Sequence, residues 1–329
     1  MYAAPQASLS ARIVARRPLH YRGGADAALD RPAHVRAASS LSWVGARLAI
    51  VQDDAHFVAL VDPRTGEAEA VALPAGAGGK RVFDAARGTK HLKLDLEASL
   101  SYRDASGTHL LAFGSGSLPA RERIVALHFA DGALSPDSVQ VHDASELYAL
   151  LRANTRFSGS ELNLEGALRD GANVLLFQRG NGAPARGLVP RNAIGQLDFE
   201  ALTRYLAGQA PAPALVASRS FDLGSAGGVP YGFTDATLTP AGGVLFVASA
   251  EASADVTRDG VVYGTLVGEL IANGGVRTAP LYDELGQPSS AKAEGIALDP
   301  VDAARAWLVV DADSGEQPAE LLEVRLTRE

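Results

Sequence analysis

The sequence has no cysteine, which removes disulfides, thiolate catalysis and cysteine-ligated zinc together. It has no excess of basic charge either. The formal net charge is −8 and the acids are scattered, so nothing supplies the basic stripe that would neutralise a phosphate backbone, and nucleic acid is not an expected partner. No stretch approaches the ~20 apolar residues that span a bilayer, so no membrane partner is expected. The opening MYAAPQASLSARIVARR lacks a charged-then-apolar leader pattern, which places the chain in the cytoplasm, or in the periplasm if a signal peptide has been removed. Several catalytic signatures are missing as well: no Gly-x-Ser-x-Gly elbow, no phosphate loop, no dinucleotide glycine fingerprint and no His-Glu-x-x-His. These absences argue against α/β hydrolases, kinases and zinc proteases, and no nucleotide cofactor is expected. The seven histidines show no zinc-ligand pairing.

What the chain does have is a phrase repeated along its length. DLEASL surrounds Glu97, NLEGAL Glu165, FTDATL Asp235 and AEGIAL Glu294, and a degraded copy, RAASSL, carries Ala38 where the others have an acid. Each copy is followed by an apolar strand and a small polar cluster, as in RLAIVQDDA, HLLAFGSGS, NVLLFQRGN, GVLFVASAE and AWLVVDADS. Self-similarity at a period built from short strands is the mark of a propeller or a solenoid of sheets. The first unit reads as strand, turn, strand, hairpin, strand, turn, strand (SSLSWV, RLAIVQ, HFVALVDP and EAEAVALP), with Pro63-Arg64-Thr65-Gly66 as the last turn. The acid-to-acid spacing of 59 to 70 residues exceeds the ~40–50 of common propeller repeats, so the units carry extra loops.

Two of those loops read as helices, one from Ser145 with a serine cap and one from Leu197 with an aspartate cap and a closing Gly208. The last unit has room for three strands only, and the N-terminal segment SARIVARRPL is an orphan strand of the right length to complete it. The expectation is therefore an all-β chain forming a single domain over 1–329, a closed β-propeller of five four-stranded blades whose last blade takes the N-terminal strand. Six blades is the alternative, if SRSFDLG near Ser218 belongs to an extra sheet.

In a propeller the first strand of each blade lines the central channel, so Glu97, Glu165, Asp235 and Glu294 should converge there. Two residues earlier, on the same side of each strand, stand Arg36, Asp95, Asn163, Phe233 and Lys292. Four carboxylates in a channel need compensation, because a buried unpaired charge costs several kcal/mol or more. Arg36, Lys93, Lys292 and Arg179 are candidates for it. A hard divalent cation is the other, since calcium takes ~6–8 oxygen ligands. The stretch GSGSLPAR adds Ser115, Ser117 and Arg121, a combination suited to phosphate or carboxylate. His34, beside Arg36, is a candidate base, as Glu97 is a candidate catalytic acid.

The Glu-Gly opening of an inner strand, LEGA at Glu165 and AEGIALD at Glu294, resembles the phytase-like and esterase-like bacterial β-propeller families of the SdiA-regulated type. That resemblance implies an axial acidic site that can hold calcium, with Glu165 and Glu294 as the best-matched positions and Glu97 and Asp235 completing the set. It implies a calcium-dependent hydrolase of esters or phosphoesters, in which the metal polarises an oxygen or activates water. The alternative expectation is a module without chemistry that binds a small anionic molecule or a partner protein at the same mouth.

Overall fold

Every copy of the repeated phrase becomes the first strand of a sheet. A computed structural model describes residues 8–130, 133–135, 138–253, 260–271 and 274–328. Strands β1 (Leu9–Pro18) and β2 (His20–Tyr21) precede the first repeat. The first repeat unit forms β3 (Ala38–Val44), β4 (Arg47–Gln52), β5 (Phe57–Val61) and β6 (Glu67–Ala72), hydrogen-bonded in that order, with β2 added at the outer edge. The second forms β7 (Leu96–Asp104), β8 (Gly107–Gly114) and β9 (Arg123–Ala130), with β10 (Ala133–Leu134) and β11 (Gln140–Asp143) both pairing β9.

The third contributes β12 (Leu164–Asp170), β13 (Asn173–Gln178), β14 (Asn192–Asp198) and β15 (Ala217–Phe221). The segment around Ser218 is thus the outer strand of the third sheet. A short hairpin of β16 (Ser225–Ala226) and β17 (Val229–Pro230) leads into β18 (Gly232–Leu238), β19 (Val244–Ala252), β20 (Val261–Leu270) and β21 (Val276–Tyr282). The chain closes with β22 (Ala293–Leu298), β23 (Arg305–Val310) and β24 (Glu320–Arg328).

The N-terminal strand completes the last sheet: β1 runs antiparallel to β24 from Leu9 opposite Arg328 to Pro18 opposite Glu320. It also pairs parallel with β21 through Ala11 and Arg12, which joins the last two sheets into one hydrogen-bonded path of eight strands. Ala11 and Ile13 are fully buried there. The first strands β3, β7, β12, β18 and β22 each touch the next, and β22 touches β3. The result is a propeller-like ring of sheets around those strands.

The sheets pack face to face through apolar clusters, one at each junction. Val51 and Val58 meet Leu110 and Val125, Phe113 and Ile124 meet Leu164 and Leu176, and Trp307 and Val309 meet Leu41 and Ile50. Between the third and fourth sheets, Phe233 stacks edge-on against Phe177 and Phe246 at 5.3 and 5.0 Å. Sheets buried on both faces need near-continuous apolar strands, which is why NVLLF and VLFVA show little alternation.

Helix α1 (Ser145–Ala153) and the single turn α2 (Thr155–Ser158) cover the junction of the second and third sheets, where Leu147, Tyr148 and Leu151 enter the core. The expected serine cap is corrected here. Ser145 lies inside α1, and the Asp143 carboxylate accepts the Ser145 N–H instead. Helix α3 (Phe199–Leu206) does start on its aspartate, with Asp198 accepting from the Ala201 amide at 2.7 Å, and the turn beyond it holds Gly208 at φ +68°.

All the first strands carry a β-bulge at the same place. The register skips one residue between Ala38 and Ser40, Leu96 and Ala98, Leu164 and Gly166, Phe233 and Asp235, and Ala293 and Gly295. The glycine of each Glu-Gly pair follows the bulge for a steric reason. A Cβ on Gly295 would stand 2.6 Å from a Leu41 methyl and 3.0 Å from the Ser40 Cα, and one on Gly166 would stand 3.1 Å from the Asp235 Cα. Overpacking of this kind costs about 1–3 kcal/mol. Gly295→Ala is accordingly expected to lower stability by about that amount in denaturant unfolding, and Gly166→Ala by less, because its contacts are longer.

Candidate functional site

A bulge re-aims the residue it leaves unpaired. Here the skipped residues are Ser39, Glu97, Glu165, Thr234 and Glu294, and all but Thr234 line a small cavity of about 50 Å³ at the centre of the ring. Seven carboxylates border it, Asp53, Asp95, Glu97, Glu165, Glu251, Glu294 and Asp311, against five bases, Lys90, Lys93, Arg121, Arg179 and Lys292. The convergence expected of Glu97, Glu165 and Glu294 is therefore present, and so are Asp95, Asn163, Lys93, Arg121, Arg179 and Lys292 from the second set.

Asp235 is a correction. The fourth repeat is displaced by one residue, so Thr234 occupies the bulge and Asp235 corresponds to Gly166 and Gly295. The Asp235 carboxylate is buried one layer deeper, where Oδ2 accepts from Ser40 Oγ and from the Ile296 amide, both at 3.1 Å. Burial pushes its pKa well above the ordinary value, against the opposing pull of the Ile296 amide. Phe233, by the same displacement, is core.

Arg36 is a second correction. The carbonyls of Ala37, Asp95 and Asn163 each accept the amide of the residue that follows the second strand of their sheet, Asp53, Ser115 and Arg179, at 2.9 Å. Ala37 is thus the counterpart of Asp95, and Arg36 stands one residue early. Its guanidinium turns to Asp54 at 2.5 Å and Asp84 at 3.1 Å, outside the cavity. His34 also lies outside, and burial lowers its pKa. Ser115 and Ser117 do not face the cavity; Ser115 donates to Asp95, and Ser117 accepts from Arg121 at 2.8 Å. The anion that suits Arg121 is the protein's own Asp95, 2.9 Å away.

The acids and bases interlock. Lys93 Nζ lies 2.5 Å from both Asp53 and Asp95. Arg179 reaches Glu251 at 2.7 Å, Glu165 at 3.4 Å and Glu294 at 3.7 Å. Lys292 faces Asp313 at 2.8 Å, Glu294 at 3.5 Å and Glu251 at 3.8 Å. Asp53, Glu251 and Asp311, the polar ends of second strands, belong to this network; their differences from unit to unit were the available signal. Glu97 stands apart, because it makes no hydrogen bond or ion pair among the described residues, and one buried oxygen of Glu294 also lacks a hydrogen bond there.

With more acids than bases, protonation is uneven. Burial first, and then the charges of Asp95, Asp53 and Glu165, hold the Glu97 pKa well above the ordinary carboxylate range. Burial pushes Glu165 up to about 8 against the pull of Arg179, with Glu294 and Glu251 adding to the rise. Asp95 moves the other way: Lys93 and Arg121 outweigh its burial and hold it low.

The calcium set implied by the resemblance can be compared with this geometry. Glu165 and Glu294 are turned to Arg179, and Asp235 is a layer away. The three described carboxylates whose oxygens lie within 4.8 Å of one another are Asp53, Asp95 and Glu97, and the Lys93 ammonium sits against two of them. A calcium ion needs ~6–8 oxygens without a competing cation. The Lys93 ammonium and the Arg121 guanidinium already hold Asp53 and Asp95, which leaves Glu97 alone of the three unclaimed, so the residues fit calcium poorly.

Residues 34–326 match the model of a family of unknown function, DUF6929. The chain belongs to that family. No curated protein matches DUF6929's member described here. Among solved structures it is similar to a glutaminyl cyclase of Myxococcus xanthus, with 11% identity, 98% of this chain and 99% of that one covered, and a TM-score of 0.48. It is also similar to an α-L-arabinanase mutant of Cellvibrio cellulosa, with 12% identity, coverage of 89% and 92%, and a TM-score of 0.47. A mannose phosphorylase of Leishmania mexicana in complex with phosphate follows at 14% identity, coverage of 95% and 88%, and a TM-score of 0.44. Among the described residues of this DUF6929 chain, no helix is long and apolar enough to cross a membrane.

The raised carboxyls make stability depend on pH. Glu165 keeps its proton up to about 8 in the fold but has an ordinary value of 4.5, so the unfolded chain binds fewer protons between those values and stability falls as pH rises through them. The melting midpoint of the wild type is expected to drop by roughly a few degrees from pH 5 to pH 9. Glu165→Gln should flatten that slope, as measured by differential scanning calorimetry.

Proposed function

We propose that this DUF6929 chain is a single-domain, five-bladed β-propeller over residues 1–329, and that it is an ester hydrolase working at the axial cavity without a resident metal. The reading rests on one observation above all: Glu97, the cavity carboxyl with no partner among the described residues, is surrounded by Asp53, Asp95 and Glu165, which make it a stronger base. A cavity of about 50 Å³ has room for roughly three or four waters and none for a substrate body. It is therefore read as the place of the hydrolytic water.

In this reading ionised Glu97 takes a proton from that water while the water oxygen bonds to the ester carbonyl carbon. The negative charge on the carbonyl oxygen is met by Arg179. When the bond to the alcohol oxygen breaks, Glu97 returns the proton to the leaving alkoxide. Lys93 and Arg121 keep Asp95 ionised beside Glu97, and Asn163, donating to Glu165 at 2.6 Å, fixes the adjacent wall. The excess of acids over bases favours a neutral ester over a phosphoester or other anion, since like charge at the mouth repels the latter.

Hydrolysis of 4-nitrophenyl butyrate tests the reading. Glu97→Gln should lower kcat by about 10²–10⁴ with the melting midpoint unchanged or raised, because the variant removes a carboxyl that is costly to ionise. The wild-type rate should climb with pH as Glu97 loses its proton, above the ordinary carboxylate range. EDTA and added calcium should leave the rate unchanged; loss in EDTA with recovery in calcium would contradict the metal-free assignment, and an unchanged rate in Glu97→Gln would remove the proposed base.

A further inference from the structure

Beside the axial cavity, between the third and fourth sheets, lies a much larger cleft of about 560 Å³ that shares Arg179, Asn181, Glu251 and Ser253 with it. Its outer wall is apolar, formed by Phe221, Leu223 and Tyr231, with the Val229–Pro230 strand alongside. The hairpin behind that strand is held in place, since Gly227 turns at φ +56° directly against the Tyr263 ring, where a Cβ would come within 2.4 Å of a ring carbon. The charged side chains lining the cleft balance: Arg179 and Arg191 against Asp222 and Glu251.

At the inner end the polar groups are largely spent on the protein. Asn192 accepts from the Gly180 and Phe233 amides and donates to the Tyr231 carbonyl. Glu251 takes Arg179 on one oxygen and the Gly260 amide on the other. The Arg179 Nε–H is different. It is buried, with the residue 4% exposed, and has no acceptor among the described residues. It borders Gly232 of the cleft wall, where a Cβ would stand 3.3 Å from Nε and 2.7 Å from Cγ. A glycine at that point keeps the wall open where the guanidinium meets the cleft. A buried donor left without an acceptor is destabilising, and a ligand oxygen placed there would relieve that cost.

Resting on the hydrolase reading, we infer that this cleft is the acyl-binding pocket, and that it takes a neutral carbonyl compound with a compact aromatic or aliphatic body. The body lies against Phe221, Leu223 and Tyr231, and the carbonyl oxygen accepts from Arg179. A carboxylate would meet Glu251 and the acids behind it, while an ammonium would place a cation against Arg179 and leave its Nε–H unmatched. Charge balance and the unmatched Arg179 donor thus select for a neutral acceptor.

The test uses full-length Glu97→Gln, titrated calorimetrically with three probes that share one aromatic body: phenylacetamide, phenylacetate and phenethylamine. Phenylacetamide should bind at least about tenfold more tightly than either charged probe, and Phe221→Ala should weaken it by about tenfold. Gly232→Ala should weaken it as well, and Tyr231→Phe, which keeps the ring, should not. Equal binding of the three probes, or binding indifferent to Phe221→Ala, would overturn the assignment. The two readings separate: a Glu97→Gln protein that binds phenylacetamide while the wild type fails to hydrolyse 4-nitrophenyl phenylacetate would sink the hydrolase and keep the pocket. Hydrolysis with a KM unmoved by Phe221→Ala would do the reverse.

Discussion

Arg179 stands where the third, fourth and last sheets bring Glu165, Glu251 and Glu294 together, and its guanidinium is the charge that lets those three acids share one buried space. Removing one partner of a buried ion pair is far more costly than the pair's net worth, because the remaining charge is stranded. Lys93 does the same for Asp53 and Asp95 across the first and second sheets, and Lys292 for Glu294 and Asp313 within the last. Each cation is tied to carboxylates from more than one segment of the chain. The charge network therefore fixes the separation of the sheets at the axis, as the apolar clusters fix it further out.

The same network is incomplete by design of its composition. Seven acids face five bases in the described cavity, and the imbalance collects on Glu97, Glu165, Glu294 and Asp311, whose protons are held more tightly than an ordinary carboxyl holds its own. Asp95, two residues before Glu97, is driven in the opposite direction by Lys93 and Arg121. Neighbouring carboxyl groups whose environments separate their protonation are the pattern from which acid and base roles arise. That separation follows from placement alone: Glu97 projects from a bulge into the cavity without a cation of its own, while Asp95 sits between two.

Much of the ring could be read from residues. The repeated phrase located the first strand of every sheet, and the shortage of a strand in the last unit pointed to the N-terminal segment that fills it. The parallel pairing of that segment with β21 had no sequence signal, because two residues of edge contact leave no periodicity. The phase of the fourth repeat was hidden for a physical reason. Aligning acids matched Asp235 to Glu165, but the bulge is defined by backbone register, and Thr234 carries it while Asp235 takes the position that Gly166 and Gly295 hold in the third and last sheets. Arg36 misled similarly, since the left-handed Ala37 at φ 43° is the true counterpart of Asp95. The roles of Asp53, Glu251 and Asp311 were visible only as variety among strand ends, whereas their partners Lys93, Arg179 and Lys292 could be named from charge compensation.

The account depends on carboxyl groups that remain protonated at neutral pH at the centre of the ring. Infrared difference spectroscopy of the carboxyl C=O stretch, in wild type, Glu97→Gln and Glu165→Gln, measures this directly. The account predicts a protonated-carboxyl band at pH 7 that loses intensity in each variant and whose Glu165 component fades as the pH passes about 8. A wild-type spectrum with no protonated carboxyl at pH 7 would contradict it, for the acids would then all be ionised and the cavity would need a cation that its own side chains do not supply.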